Sequence, residues 1–595
     1  MSIINLVTTV EKLTKCHIER IISYTDKTSL ANNENLQESQ IIFAVYPHLE
    51  KLEDILEYVF KVKSLNQRVK FSLIITGGES YEITNYLTVN TLIDYFTVYS
   101  FYPGLIPIDF DLLSLERKKS AKEIYIDKDL NSLTVMAKSI AKMELLFGKI
   151  KHKFIKGDNS CVLNDLLRQE EKSNAIENDI AKGAHSIYGL IVLERNVDFI
   201  TPFCSNYTYE GILDDFFDIN VGRIKVDKNI LGMETKKGQK PDTIVQLSSK
   251  VLFYSKIRSM LFMSAYNYII ERVKKYKEVK ENAKKLNQSA EIQAIKEGLQ
   301  KYNKFIVEEK QPLDSHTSIS YYIRELQKDP EYNEIVREEQ LLLAGDPSKT
   351  MVDIINNLIG NKKQLDKVLR LLCLVSVTQG GIEKYNLVKQ DILNVYGYQK
   401  LFLMKNLEKM GLLKEKVVEM WKQNIFTYNY DKIKSDLKLL NTDFNGRIFE
   451  DCAYVLTGLC PITLRLVESA VKDGWKSSVD FLKKSPGKFV EPPRERISEG
   501  KKDKNFIFVV FLGGVTFAEI EGIRFLNLKY KEYKFIILTT EIISCRKLFS
   551  GLDEEFGAPL KMKDFYESSK ILEEEKKKKK KWEESGVLNG SNSIY

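Results

Sequence analysis

The sequence predicts an α/β protein with two parallel-sheet units, the second of them discontinuous, interrupted by a mainly helical insertion that carries a helical hairpin. Three observations predict it. Apolar runs of strand length alternate with helical periodicity over residues 1–145. Two comparable strand stretches, IYGLIVL at 187–193 and NFIFVVFLGGVTFAEIEGIRFL at 505–526, stand far apart in the chain. Between them, from about 246 to 480, the periodicity is helical almost throughout.

In order along the chain, QIIFAVYP (40–47) reads as a short strand ended by Pro47, and Leu52, Ile55, Leu56 and Val59 then recur at helical spacing. KFSLIIT (70–76) is a second strand, stopped by Gly77 and Gly78. Strands separated by helices require crossover connections and hence parallel pairing. IYGLIVL opens a second unit that lacks a finishing strand before residue 250; the missing strands are found at 505–526 and in KFIILTT (534–540). Within the insertion, residues 271–310 mix Lys with Glu on most faces and contain no Pro and one Gly, Gly298. They read as a solvated helix pair or as an exposed hairpin that offers a surface to a partner helix. KVLRLLCLVSV (367–377) is apolar enough for a buried helix, and 391–413 reads as two helices broken at Gly397 and capped near Gly411. The end of the chain, with Lys576 to Lys581 between acidic blocks, reads as a frayed or disordered tail, with a weak anionic-lipid or localisation signal as the alternative.

Composition narrows the function classes. The chain has 595 residues, 43% of them apolar, which supports three or four domains at roughly 100–200 residues each. Its 90 Lys and Arg against 82 Asp and Glu leave +8, spread too thinly to select nucleic acid. Seven scattered Cys resemble no disulfide framework, and the nearest pair, Cys452 and Cys460, has no His beside it to complete a zinc site; reduced thiols in a cytosolic protein are expected. The opening MSIINLVTTVEKLTK lacks the apolar core of a signal peptide, and the longest apolar stretch, 506–515, is about half a membrane span. Membrane association would therefore run through another molecule.

No catalytic constellation emerges. There are five His and no HExxH, GxSxG, GxxxxGK[ST] or GxGxxG. The strand–Gly513–Gly514–helix junction could bring amides to an anion and is the basis for a nucleotide-binding alternative. Against it, Thr516 and Glu519 have capping-box spacing and would satisfy that helix end internally. In ERNVDFITPF (194–203), an Arg195–Asp198 ion pair is expected to fix the loop, with Thr201 as N-cap and Pro202 in the first helical turn. Cys460–Pro461 is expected to open a helix ending near Gly474, with Arg465 as a structural salt-bridge partner. The 391–411 helices permit a helix-turn-helix reading with Lys400, Lys405 and Lys409, but they lack the Arg, Asn and Gln set that reads base edges, so no nucleic-acid partner is expected.

Taken together, YGLIVLERNVDFITPFCSNYTYEGILDDFF (188–217), the stretch 368–414 from VLRLLCLVSV to MGLLK, and FLGGVTFAEIEGIRFL (511–526) resemble the Sec/Munc (SM) family of SNARE-assembly proteins, in its vacuolar protein sorting-associated protein 33 branch. LIPIDFDLLSLE (105–116) and SHTSI (315–319) add to the likeness. The resemblance implies an arch of three domains: domain one at 1–145, domain two at 146–245 and 481–558, and domain three at 246–365, with the hairpin, and 366–480, followed by a charged tail at 559–595. It implies a non-enzymatic scaffold without cofactor or metal that holds SNAREs within a tethering complex of the HOPS or CORVET kind. Such a protein is cytoplasmic, peripheral on endosomal and vacuolar or lysosomal membranes through its partners, and not a homo-oligomer. It places SNARE contacts on the hairpin, here Leu299, Tyr302, Phe305 and Ile306, although the Pro common at the tip in relatives is absent from LQKYNK (299–304). It assigns docking of a vacuolar protein sorting-associated protein 16-like subunit to Tyr398 and Leu401 as apolar anchors, with Lys389 as a rim charge.

Overall fold

The computed structural model describes residues 40–45, 49–65, 68–76, 81–101, 104–173, 187–233, 242–289, 310–345, 350–416, 430–441, 450–490, 505–553 and 556. Two parallel-containing sheets organise them. The first holds β1 (Gln40–Val45), β2 (Lys70–Thr76) and β3 (Phe96–Phe101), all parallel in that order, with α1 (Leu49–Leu65) and α2 (Tyr81–Val89) as crossovers. Leu52, Ile55, Leu56 and Val59 are buried against Phe71, Leu73 and Ile75, so the helical spacing read from the sequence is the face that packs on the sheet.

The second sheet has seven strands drawn from three stretches of chain. Its elements are β4 (Ile106–Asp109), β5 (Leu112–Ser114), β6 (Ile150–Lys156), β7 (Ile187–Glu194), β10 (Phe489–Val490), β11 (Asn505–Leu512) and β12 (Tyr533–Thr539), in the order β10-β6-β7-β11-β12-β5-β4. β8 (Arg223–Asp227) and β9 (Asp242–Gln246) form a separate antiparallel pair. The discontinuity is visible in one pairing: β11 lies parallel to β7, with Val509 opposite Ile191. From Leu190 to Leu193 and from Ile507 to Leu512 these strands are buried on both faces, which explains why they read as unbroken apolar runs.

One boundary differs from the sequence reading. β4 and β5, which lie inside 1–145, join the second sheet: β5 pairs in parallel with β12, Leu112 opposite Ile537. Among the described residues, the strands of the first sheet end at Phe101. At three and four residues, with Pro107 in one of them, these strands carry too little periodicity to reveal which sheet they complete. α3 (Asn131–Phe147) follows the same sheet, burying Leu133, Met136 and Ile140 in its core.

After α4 (Asp158–Ser173) and α5 (Tyr209–Phe217), the insertion supplies α6 (Phe262–Ser289), α7 (Gln311–Leu326), α8 (Pro330–Ala344), α9 (Thr350–Gly360), α10 (Leu365–Thr378), α11 (Tyr385–Tyr396), α12 (Leu401–Lys409) and α13 (Ile462–Asp473). The sheet then resumes around α14 (Phe517–Lys529), and α15 (Cys545–Leu552) follows β12. α10 buries Val368, Leu369 and every residue from Leu371 to Val377, with Asp366 and Arg370 on its remaining side paired to Arg546 and Glu339. α11 begins at Tyr385, ahead of the position 391 that the periodicity suggested. Leu299, Tyr302, Phe305 and Ile306 of the expected hairpin tip, and the tail from 559, lie outside the described residues. Among the described residues, no helix is long and apolar enough to cross a membrane.

Candidate functional site

The ERNVDFITPF loop, at the carboxyl end of β7, is where an α/β protein offers a ligand site. Its charged residues are engaged from within, while Thr201 and Pro202 line a cavity of about 1340 Å³. Arg195, 1% exposed, donates two charge-assisted hydrogen bonds to Glu519 on α14, at 2.7 and 2.8 Å. Its Nε donates to the Asp198 carbonyl at 2.9 Å, and the Asp198 carboxylate stands farther off at 3.8 Å. The dominant ion pair is thus Arg195–Glu519, and the expected Arg195–Asp198 pair is the weaker contact. Burial alone would raise the Glu519 carboxyl; the Arg195 guanidinium beside it outweighs burial and holds it below its ordinary value.

Asp198 has other work. Its Oδ1 accepts from the amides of Ile200 and Thr201, both at 3.0 Å, and its Oδ2 accepts from the Thr201 hydroxyl at 2.6 Å and from the Ile462 amide at 3.0 Å. Thr201 is therefore not the N-cap of an α-helix: Thr201–Phe203 is a single 3-10 turn, and the Thr201 hydroxyl donates to Asp198 instead of accepting from a helix amide. Pro202 sits in that turn, where a missing N–H costs nothing. Ile462 opens α13, and Thr463 beside it donates to Glu519 at 2.6 Å. One buried cluster thereby fastens β7, α13 and α14, which belong to three separate stretches of the chain.

The Gly513–Gly514 junction is closed in the same manner. Both residues have positive φ, +84° and +106°, and a Cβ would lie 2.7 Å from the Tyr125 ring at the first and 2.4 Å from Ile543 at the second. The Gly513 amide donates to the Thr540 hydroxyl and the Val515 amide to the Glu541 carbonyl, while Thr516 and Glu519 form the full capping box. The Gly513, Val515 and Thr516 amides are thus engaged by the chain itself. At the start of α4 a carboxylate of the chain itself fills the anion position: Glu194 accepts from the Ser160 amide at 2.9 Å and from Asn159 at 3.1 Å.

Two further ionic clusters brace the same core. Arg465 is the structural partner its position suggested, binding Asp451 at 2.5 and 2.8 Å and Glu468 at 3.1 Å. Arg524, which sequence reasoning passed over, bonds Asp111, Glu210, Asp109 and Glu521. Its only sequence signal is Glu521 one helical turn earlier; the other carboxylates lie hundreds of residues away.

The α11–α12 pair is different in kind, because its apolar residues are left outside. Tyr398 is 66% and Phe402 76% exposed, one helical turn apart, and Leu387 on α11 is also exposed. Beneath them Leu403, Met404 and Leu407 are buried, and Lys400 to Asp553 (3.2 Å) and Asn406 to the Leu552 carbonyl (3.0 Å) fix α12 on α15. Leu401 is half-buried, so it is a flank of this surface and Tyr398 its exposed centre. Lys389 departs from the expected rim charge: its ammonium bonds Glu408 at 2.5 Å and only 13% of its side chain is exposed. Tyr385 and Lys405 also donate to Glu408, at 2.9 Å each. Burial would raise the Glu408 carboxyl, and these hydrogen bonds outweigh it and hold it low. Lys400 and Lys405 are both engaged by carboxylates, while Lys409 stays exposed. Phe402 was legible only as part of an apolar helix; the stripe Leu403, Met404 and Leu407 faces the core and leaves Phe402 off it.

The model of the Sec1 family matches residues 1–551. A vacuolar protein-sorting-associated protein 33 homolog of Arabidopsis thaliana is 30% identical over 78% of this chain and 77% of its own length. Vacuolar protein sorting-associated protein 33A of Rattus norvegicus is 29% identical over 87% of each chain. Among solved structures, the SM protein Vps45 in complex with the Qa SNARE Tlg2 superposes with a TM-score of 0.56 at 15% identity, covering 86% of both chains. The Unc18–syntaxin 1 complex from Monosiga brevicollis gives 0.52 at 14% identity, covering 87% of this chain and 89% of that one.

Proposed function

The chain belongs to the Sec1 family, and on that premise we propose that it is a non-enzymatic scaffold that binds SNARE segments and promotes their assembly in endosomal and vacuolar membrane fusion. One observation carries this reading: the family match runs through both halves of the split sheet and the whole insertion, while the two helix ends best placed to take a phosphate are occupied by Glu194 and Glu519 of the chain itself. The relatives named for vacuolar protein sorting support the pathway, and the SM-protein structures that hold a Qa SNARE or syntaxin support the ligand class.

The physical basis is entropic. An isolated SNARE segment loses a large conformational entropy when it becomes helical, and a rigid surface that holds it part-ordered lowers the barrier to zippering. The 28-residue α6 and the returning α7 supply a rigid base for such a surface. Its tip, with Leu299, Tyr302, Phe305 and Ile306, is the proposed SNARE contact.

Tyr398, Phe402 and Leu401 are the proposed seat of a vacuolar protein sorting-associated protein 16-like subunit of a HOPS or CORVET complex, which would hold the protein at the membrane as a peripheral component. Lys389 acts there by orienting the α11–α12 pair through Glu408. The reading is tested by immobilising the full chain and offering purified cytoplasmic segments of endosomal SNAREs. Saturable capture of at least one Qa-type segment is expected; failure to retain any of a complete endosomal set, with or without the partner subunit, would refute it.

A further inference from the structure

Cys452 and Cys460 were the nearest cysteines in sequence, and the fold brings their sulfurs to 3.1 Å. Both residues are buried, at 0% and 1% exposure. The contact is built by a tight reversal of the chain. Cys452 opens a 3-10 turn ending at Val455, Thr457 and Gly458 turn with positive φ of 49° and 112°, and the Gly458 amide donates to the Ala453 carbonyl at 3.0 Å. Leu456 and Leu459 form an isolated bridge, and the Cys460 amide is held by the Leu439 carbonyl at 2.8 Å. Two thiols eight residues apart are thus held together by backbone on both sides.

Asp451 joins them as a third donor, its Oδ1 3.3 Å from Cys452 Sγ, and such a trio could in principle hold a metal ion. Two details oppose that. Both carboxylate oxygens of Asp451 are already bound by Arg465, at 2.8 and 2.5 Å, and that guanidinium stands 3.9 Å from Cys452 Sγ, where it repels a cation. A disulfide requires the sulfurs to close by about 1 Å, within the reach of side-chain rotation.

We propose that Cys452 and Cys460 are a convertible dithiol that a small peroxide oxidises to an intramolecular disulfide, locking the loop that leads into α13. In the first step one thiol sulfur attacks the peroxide, the O–O bond breaks, and a sulfenic acid and one water form. In the second, the neighbouring thiol attacks that sulfur, the S–O bond breaks, the S–S bond forms, and a second water leaves. Two electrons pass from the sulfur pair to the peroxide and the two thiol protons end in water. Cys452 is the sulfur that attacks the peroxide and is oxidised first, because the Arg465 guanidinium 3.9 Å from it favours its thiolate. The hydrogen bond to Cys460 and burial push the Cys452 thiol up, so the conversion is slow relative to that of an exposed activated cysteine. Because α13 begins two residues after Cys460 and contributes Ile462 and Thr463 to the Asp198–Glu519 cluster, the crosslink fastens the junction of the split sheet.

The test uses the full chain, purified in reductant, desalted, and exposed to hydrogen peroxide before denaturation, alkylation and peptide mapping. The expected result is the loss of two of the seven thiols, a mass decrease of about 2 Da before alkylation, a crosslinked Cys452–Cys460 peptide, and a melting temperature that rises and reverts with dithiothreitol. Cys460→Ala should abolish the crosslink while Cys452 becomes trapped as its sulfenic acid by a dimedone probe. Retention of both thiols under peroxide that oxidises other cysteines, a disulfide formed between other partners, or one tightly held zinc per chain protecting both sulfurs would each overturn the proposal.

Discussion

Arg195→Met will destabilise the protein by roughly 3–5 kcal/mol, the cost of leaving buried carboxylates without their cation. The substitution keeps most of the aliphatic volume but removes the two hydrogen bonds to Glu519 and the bond to the Asp198 carbonyl. Glu519 is fully buried, so water cannot replace the guanidinium. Chemical denaturation should show an earlier first transition, together with loss of hydrogen-exchange protection in β7, α13 and α14. In a double-mutant cycle, Arg195→Met with Glu519→Gln should cost less than the sum of the single changes, because the second removes the orphaned charge. Recovery stays partial, since Glu519 also binds Thr463 and completes the cap of α14. Wild-type stability in Arg195→Met would show that the cluster does not hold the split sheet together.

Tyr398→Asp, alone and with Phe402→Asp, will abolish co-purification with the partner subunit and leave the melting temperature nearly unchanged. Exposed aromatics contribute little to the fold, whereas a buried aromatic at an interface centre carries about 2 kcal/mol or more of binding energy, roughly thirtyfold in Kd. A carboxylate placed there adds desolvation cost to the lost contact. Lys389→Ala makes the contrast: it breaks the bond to Glu408 inside the α11–α12 pair, so it should lower thermal stability as well as binding. Undiminished recovery of the complex from the double variant would show that this surface is not the seat of the partner.

These two sites show where sequence reasoning reaches and where it stops. The buried strands at 187–194 and 505–512 announce themselves as apolar runs, and the capping box at Thr516 and Glu519 is a local pattern, so both were legible. Arg195 was read with Asp198 because the two are three residues apart; its stronger partner, Glu519, is separated by 324 residues and is found only once β7 and β11 pair. β4 and β5 carry no readable strand signal for the same reason: which edge a three-residue strand completes is decided by long-range pairing. On α12, periodicity marked the residues that pack, and burial alone distinguished exposed Phe402 from Leu403 beside it. Lys389, which the resemblance puts at a rim, is drawn under cover by Glu408, a pairing that no local pattern announces.

If the chain works by presenting a surface and not by making or breaking bonds, the most direct measurement is the rate at which purified endosomal SNARE segments assemble into their helical bundle, followed with and without the full chain. The expected result is an acceleration of about tenfold or more, equivalent to a barrier lowered by about 1.4 kcal/mol, with no covalent change in any component and no nucleotide required. An assembly rate that stays at its spontaneous value when the SNAREs are saturated with the chain, or an acceleration that depends on nucleotide turnover, would contradict it.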